Sequence, residues 1–116
     1  MKVITTRMFT HTGPRRGDVF AESTFAKQIA LAEAGVIDPI IKVGNLNSMR
    51  TIADVRDAVR AYYMLLTINP ISGEYYNIGG SYSCSIEKIL NDLLDLSKIK
   101  DKLKVEVDSD LSLIHI

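Results

Sequence analysis

Four side chains able to do chemistry crowd into one short stretch of the chain, Arg7-Met-Phe-Thr-His-Thr-Gly-Pro-Arg-Arg-Gly17. Thr10 brings a hydroxyl, His11 an imidazole, and Arg15 and Arg16 two guanidiniums. A guanidinium is planar, permanently charged and matched to the oxygens of a phosphate. The stretch therefore suits an anionic ligand, a nucleotide among them. It also suits a surface turn with two solvated arginines, which demands less of the fold. A fifth candidate, Arg50, stands alone after the loop Gly44-Asn-Leu-Asn-Ser48. Taken by itself it reads as a surface charge as readily as a ligand clamp.

The elements that would position these groups are legible from local pattern. Val3-Ile-Thr-Thr6 is a β-branched run that predicts a strand, opening into a loop stiffened by Gly13-Pro14 and closed by Gly17. In α/β proteins, ligands sit where strands run out into such loops. Ala21, Phe25, Ile29 and Ala32 recur at helical spacing and predict a helix over 21–34, stopped by Gly35. Thr24 and Lys27 lie on it, and a helix N-terminus facing the loop would favour a phosphate there. Pro39-Ile-Ile-Lys-Val43 predicts a strand, and Thr51-Ile-Ala53 a further extended piece.

Asp54 is placed to cap a helix running to about residue 68, with Asp57 in its first turn. Val55, Val59, Tyr62 and Leu66 mark the expected apolar face of that helix, and Tyr62 and Tyr63 read as packing residues. Asn69-Pro70 and Ser72-Gly73 turn the chain, and residues 74–78 predict a strand ended by Gly79-Gly80. Ser85 caps a third helix with the stripe Ile86, Ile89, Leu90, Leu93 and Leu94, and residues 104–107 predict a last strand. Alternation of strands and helices argues for an α/β fold with a parallel or mixed sheet.

Composition narrows the classes. The chain has 116 residues, 47% of them hydrophobic, with zero formal net charge. That bounds it to one domain and gives no bulk attraction to nucleic acid or an anionic membrane. No apolar run approaches the ~20 residues of a membrane span, and the N-terminus does not read as a signal peptide. One cysteine, Cys84, excludes an internal disulfide and suits a reducing cytoplasm. It reads as a buried or incidental thiol. No Cys/His cluster makes a metal site.

The Arg7–Gly17 stretch resembles the Arg-x-Phe-Asn-His-x-x-Pro-Arg-Arg-Gly segment of the GDP-mannose 4,6-dehydratases, extended short-chain dehydrogenase/reductases acting on nucleotide sugars. The resemblance continues through Gly44-Asn-Leu-Asn-Ser-Met-Arg50, Asp54-Val-Arg-Asp57 and Tyr76-Asn-Ile-Gly-Gly80. It implies a partial Rossmann-like fold of that class and a single portion over residues 1–116, carboxy-terminal and substrate-binding. The Gly-rich dinucleotide loop and Tyr-x-x-x-Lys, both absent from this sequence, would precede Arg7 in full-length members. Tyr62 has Leu66, and Tyr63 has Thr67, where the lysine would stand.

By the same resemblance, His11 and Arg16 would contact NADP (or NAD), and no catalytic residue is carried over. Thr10, standing where the family has asparagine, would contact the sugar nucleotide, and Arg50 its diphosphate. Thr24 and Lys27 are candidates for a further substrate contact in the helix. In an intact relative, hydride leaves C4 of GDP-mannose for the cofactor, water is lost across C5–C6, and hydride returns to C6. Asp54-Val-Arg-Asp57 is closer to the GDP-6-deoxy-hexulose reductases, so a reductase or epimerase portion is an alternative. A non-catalytic nucleotide-sugar-binding module is another. The end of the chain, residues 108–116, departs from the family's Arg-Pro-containing segment, and His115 is given no role. Self-association to a homo-oligomer is expected, because half of a Rossmann-type fold leaves a face to cover.

Overall fold

The computed structural model describes residues 1–108; the departing carboxy end from residue 109 on, His115 included, lies outside the described residues. In chain order the elements are β1 (Thr5–Met8), β2 (His11–Thr12), α1 (Ala21–Glu33), β3 (Ile40–Val43), β4 (Met49–Thr51) and β5 (Ala53–Asp54). They continue with α2 (Val55–Thr67), β6 (Tyr75–Ile78), β7 (Ser83–Ser85), α3 (Ile86–Leu96), a 3-10 turn at Lys100–Lys102 and β8 (Lys104–Val107). The described residues fold into two compact units, one from Met1–Arg15 with Arg50–Cys84, the other from Arg16–Met49 with residues 85–108.

In the second unit, β3 and β8 pair in parallel, Ile40 opposite Lys104 and Val43 opposite Val107. Parallel strands need a covering layer, and α1 supplies it, packing on β3 and on α3. The predicted stripe of α1 is the buried one: Ala21, Phe25, Ile29 and Ala32. Phe25, Ile41, Val43 and Leu90 are buried essentially completely and centre the core, with Ile89, Leu93 and Leu94 against it. Burying four such side chains is worth roughly 1.5–3 kcal/mol each.

The C-terminal end of α1 is tied. Gly35, at φ 75°, sends its N–H to Ala32, and Val36 sends its N–H to Leu31. That is a Schellman stop, in which glycine adopts the left-handed backbone without a Cβ penalty. Midway, the Gln28 amide accepts from Lys42 N–H (2.8 Å) and donates to its carbonyl (3.0 Å), replacing a neighbouring strand at that point of β3. Ser85 caps α3 as expected, its hydroxyl accepting from Lys88 N–H.

In the first unit, β1 and β6 pair in parallel with Thr5 opposite Tyr75 and Met8 opposite Ile78. The strand begins two residues later than the β-branched run suggests. Its ladder is set by Tyr75–Ile78, while Val3 lies beyond it, its N–H on the Ser72 hydroxyl and its carbonyl accepting from Gly73. A second short parallel pair puts His11 opposite Ala53 and Thr12 opposite Asp54. Backbones approach closely where β6 ends. A Cβ on Gly80 would stand 2.7 Å from the Ile52 carbonyl oxygen, and one on Gly79 would stand 2.6 Å from the Phe9 ring.

The expected face of α2 is a correction. The helix turns Val55, Ala58, Ala61 and Leu65 inward, and only Ala58 is fully buried. Small residues there let α2 lie close to β2 and β5. Val59, Tyr62, Tyr63 and Leu66 stand outward, with Tyr63 and Leu66 each 69% exposed, so the two tyrosines do not pack. Periodicity located an apolar stripe, but the helix carries two, and close approach to short strands selects the slimmer. Cys84 is buried, a free thiol.

Candidate functional site

The loop that enters α1 is held by charge and by an aromatic face. Arg16 Nε lies 3.0 Å from Glu22 Oε1, both side chains largely shielded, at 18% and 17% exposed. Neither atom has an aligned hydrogen-bond partner, so the contact is an ion pair without a directed bond. The Arg16 guanidinium also lies over the Phe20 ring, 3.8 Å from its centroid, a cation–π stack. Glu22 engages the guanidinium through Nε, which leaves the two Nη groups as the edge suited to a bidentate anion.

Phe20 is the N-cap of α1 in extended conformation, and it supplies no side-chain cap. Orphan N–H groups in a first helical turn favour an anion. Thr24 and Lys27 are both engaged by Asp18. The Thr24 hydroxyl donates to the Asp18 carbonyl, and Lys27 Nζ donates to Asp18 Oδ2 at 2.6 Å. The Lys27 ammonium accordingly holds the Asp18 carboxyl below its usual range. In this arrangement both residues close the loop onto the helix, and a ligand would compete with Asp18 for Lys27.

In the other unit, Thr10 accepts from Ala53 N–H through its carbonyl (3.0 Å), which leaves its hydroxyl out of the ladder. His11 sits in β2, and its Nδ1 is 3.2 Å from the Phe9 carbonyl. With Nδ1 as the donor there, Nε2 is the acceptor left for a ligand. Arg15 follows at φ 70°, a left-handed turn residue. Arg50 lies half-buried on β4. The structure thus brings Thr10 and His11 to Ala53, three residues after Arg50. A cavity of about 430 Å³ in this unit is lined by other residues, among them Asp54, Asp57, Ala58, Ile78, Gly80 and Tyr82.

Sequence reasoning missed Phe20, Glu22 and Asp18. The available signal was a carboxylate in the first turn of α1 and an aromatic residue between it and Arg16. Spacing alone did not say that the loop would fold back onto the helix. Among the described residues, no group of His, Cys, Asp and Glu is arranged to hold a metal.

Parallel two-stranded ladders covered by helices define an α/β protein. Comparison with known proteins makes this particular. Residues 1–115 match the family model of GDP-mannose 4,6 dehydratase, and the chain belongs to that family. It is 29% identical over 99 residues to the GDP-6-deoxy-D-mannose reductase of Pseudomonas aeruginosa, covering 85% of this chain and 32% of that protein. Among solved structures it is similar to RMD from Pseudomonas aeruginosa complexed with NADPH (TM-score 0.84, 29% identity), covering 93% of this chain and 35% of that one. A putative epimerase from Burkholderia cenocepacia is similar at TM-score 0.71 and 28% identity, with coverages of 93% and 33%. The chain thus spans about a third of the length of the relatives it matches.

One family motif has a measurable electrostatic consequence. Asp54 caps α2 by accepting from Arg56 N–H (2.8 Å), and its carboxylate also takes the Arg56 guanidinium (3.0 and 2.7 Å). The Arg56 side chain, then its backbone N–H, holds the Asp54 carboxyl down at about 2, against an ordinary value of 3.8. A depressed folded value contributes stability above the ordinary pKa and loses it as pH falls toward the folded one. Melting temperature should therefore fall more steeply from about pH 3.8 to about pH 2 in the wild type than in Asp54→Asn, which keeps an acceptor but does not titrate. Parallel melting curves across that window would contradict this role.

Proposed function

We propose that the chain is the substrate-binding portion of an NADP-dependent sugar-nucleotide dehydratase acting on the GDP-mannose class, a lyase of the cytoplasm. The observation that carries the reading is the shielded guanidinium of Arg16, stacked on Phe20 with Glu22 at its Nε, at the entrance of a helix without a side-chain cap. It accompanies a family match over almost the whole chain. Both features fit a nucleotide phosphate, by charge-assisted hydrogen bonds and by the helix terminus. A nicotinamide cofactor supplies the hydride acceptor and donor for such a reaction. RMD, one of the similar structures, holds NADPH.

The chain's own residues bind and orient. Arg16 would take a cofactor phosphate, and His11 would offer its Nε2. Arg50 would neutralise the diphosphate of the nucleotide sugar. The Thr10 hydroxyl would hydrogen-bond the sugar nucleotide, with shorter reach than the family's asparagine. Thr24 and Lys27 would join a substrate contact only on release from Asp18. No residue of this chain is assigned the proton transfer, which in the family belongs to tyrosine and lysine in the dinucleotide-binding part. On this reading the chain binds but does not turn over substrate alone.

A second reading, a GDP-6-deoxy-hexulose reductase portion, is favoured by the likeness to the Pseudomonas aeruginosa reductase. Calorimetric titration of the purified chain with GDP-mannose, GDP and NADP tests the binding claim. Binding of GDP-mannose that weakens about tenfold or more in Arg50→Ala is expected, the loss of one charge-assisted contact. A folded chain that binds none of the three would overturn it.

The exposed stripe Val59, Tyr62, Tyr63 and Leu66 bears on assembly. Its aromatic and aliphatic side chains suit self-association, with a second copy of this chain as the occupant. Sedimentation velocity should show a dimer or higher species that Leu66→Glu dissociates. A monodisperse wild-type monomer would contradict self-association.

A further inference from the structure

Arg16 is the candidate ligand whose surroundings are most fully built, and its two neighbours act on it in opposite senses. Phe20 offers an aromatic face to the guanidinium, which fixes its plane and leaves its charge intact. Glu22 offers a negative charge 3.0 Å from Nε. It occupies the one nitrogen that a bidentate anion does not need, yet it sits close enough to repel whatever anion the Nη edge takes. An unaligned contact does little to orient the guanidinium, so the effect of Glu22 is mainly one of charge. The low exposure of both side chains keeps solvent from screening that charge fully.

We infer that Phe20 is the positioning platform of Arg16, and that Glu22 is a built-in competitor weakening its hold on a nucleotide phosphate. This rests on the reading of Arg16 as a phosphate ligand given above. Neither Phe20 nor Glu22 is among the residues that the family resemblance carries over. The consequence is a site tuned for release as well as capture: a phosphate bound at Arg16 shares its guanidinium with a resident carboxylate. A dianionic phosphate monoester is penalised more than a phosphodiester, because repulsion scales with the charge placed there.

Opposite signs make the test sharp. Glu22→Gln keeps the side chain's shape and removes its charge; Phe20→Leu keeps apolar bulk and removes the aromatic face. Each is titrated, as the full chain, with NADP and separately with GDP, alongside Arg16→Ala, with circular dichroism and melting curves as the check on folding. Glu22 also sits in the first turn of α1, where a carboxylate favours the helix dipole, so Glu22→Gln is expected to melt slightly lower. Despite that loss, it should bind about threefold or more tightly at low salt, and the gain should shrink in 1 M salt. Phe20→Leu should bind about threefold more weakly. The nucleotide whose affinity follows this pattern is the one whose phosphate Arg16 takes.

A purely structural role for the two residues predicts the same direction in both variants. Both weakening, or neither changing, overturns the inference, as does binding that survives Arg16→Ala undiminished. Absence of any binding by the folded wild-type chain overturns the functional reading together with this one.

Discussion

Parallel strand pairing dictates the long connections of this chain. A parallel pair cannot be closed by a tight turn; it needs a long crossover and a covering layer. Here β1 waits for β6 across almost seventy residues, and β3 waits for β8 across about sixty. Each connection must therefore leave its own unit and return. Ladders joined at such separation are costly to close, and they hold only where packing repays the entropy. In the unit built on β3 and β8 it does: Phe25, Ile41, Val43 and Leu90 form a closed apolar cluster under α1 and α3.

The unit built on β1 and β6 is different. Its fully buried apolar residues are Ala58 and Cys84 among those described, while Tyr63, Leu66 and Tyr75 stand largely exposed. Backbone ladders and close glycine contacts do there what a core does in the other unit. Gly80 lets the chain pass over Ile52, and Gly79 leaves room for Phe9. Covering its outer stripe would add apolar burial that a unit so thinly packed lacks. It also carries Thr10, His11 and Arg50. Weakly cored elements open more readily, which suits a ligand-contacting segment better than a structural one.

Much of this is legible in the sequence, and what is not has physical causes. The spacing of Ala21, Phe25, Ile29 and Ala32 named the buried face of α1, because that helix carries a single apolar stripe. Gly35 and Ser85 named the ends of helices, because their roles are local: a left-handed backbone and a hydroxyl acceptor. The packed face of α2 is not legible in the sequence, because Val59, Tyr62 and Leu66 are as periodic as the residues that pack. Which stripe is covered depends on how near the strands lie, and periodicity carries no distance. The start of β1 is hidden for a similar reason, since its partner about seventy residues on sets the ladder. At the site, Arg16 stood out by residue type. Phe20, Glu22 and Asp18 did not, because their importance comes from a loop folding back on the helix it precedes.

If this chain binds nucleotide phosphates through Arg16, Arg50 and their neighbours, amide NMR of the ¹⁵N-labelled chain registers the contacts residue by residue. Adding NADP should move the resonances of His11 and of Arg16 with its neighbours through Glu22. Adding GDP-mannose should move those of Thr10 and Arg50, with Thr24 and Lys27 following if Asp18 releases them. A well-dispersed spectrum in which neither ligand perturbs any of these residues would rule out phosphate binding by this chain through them.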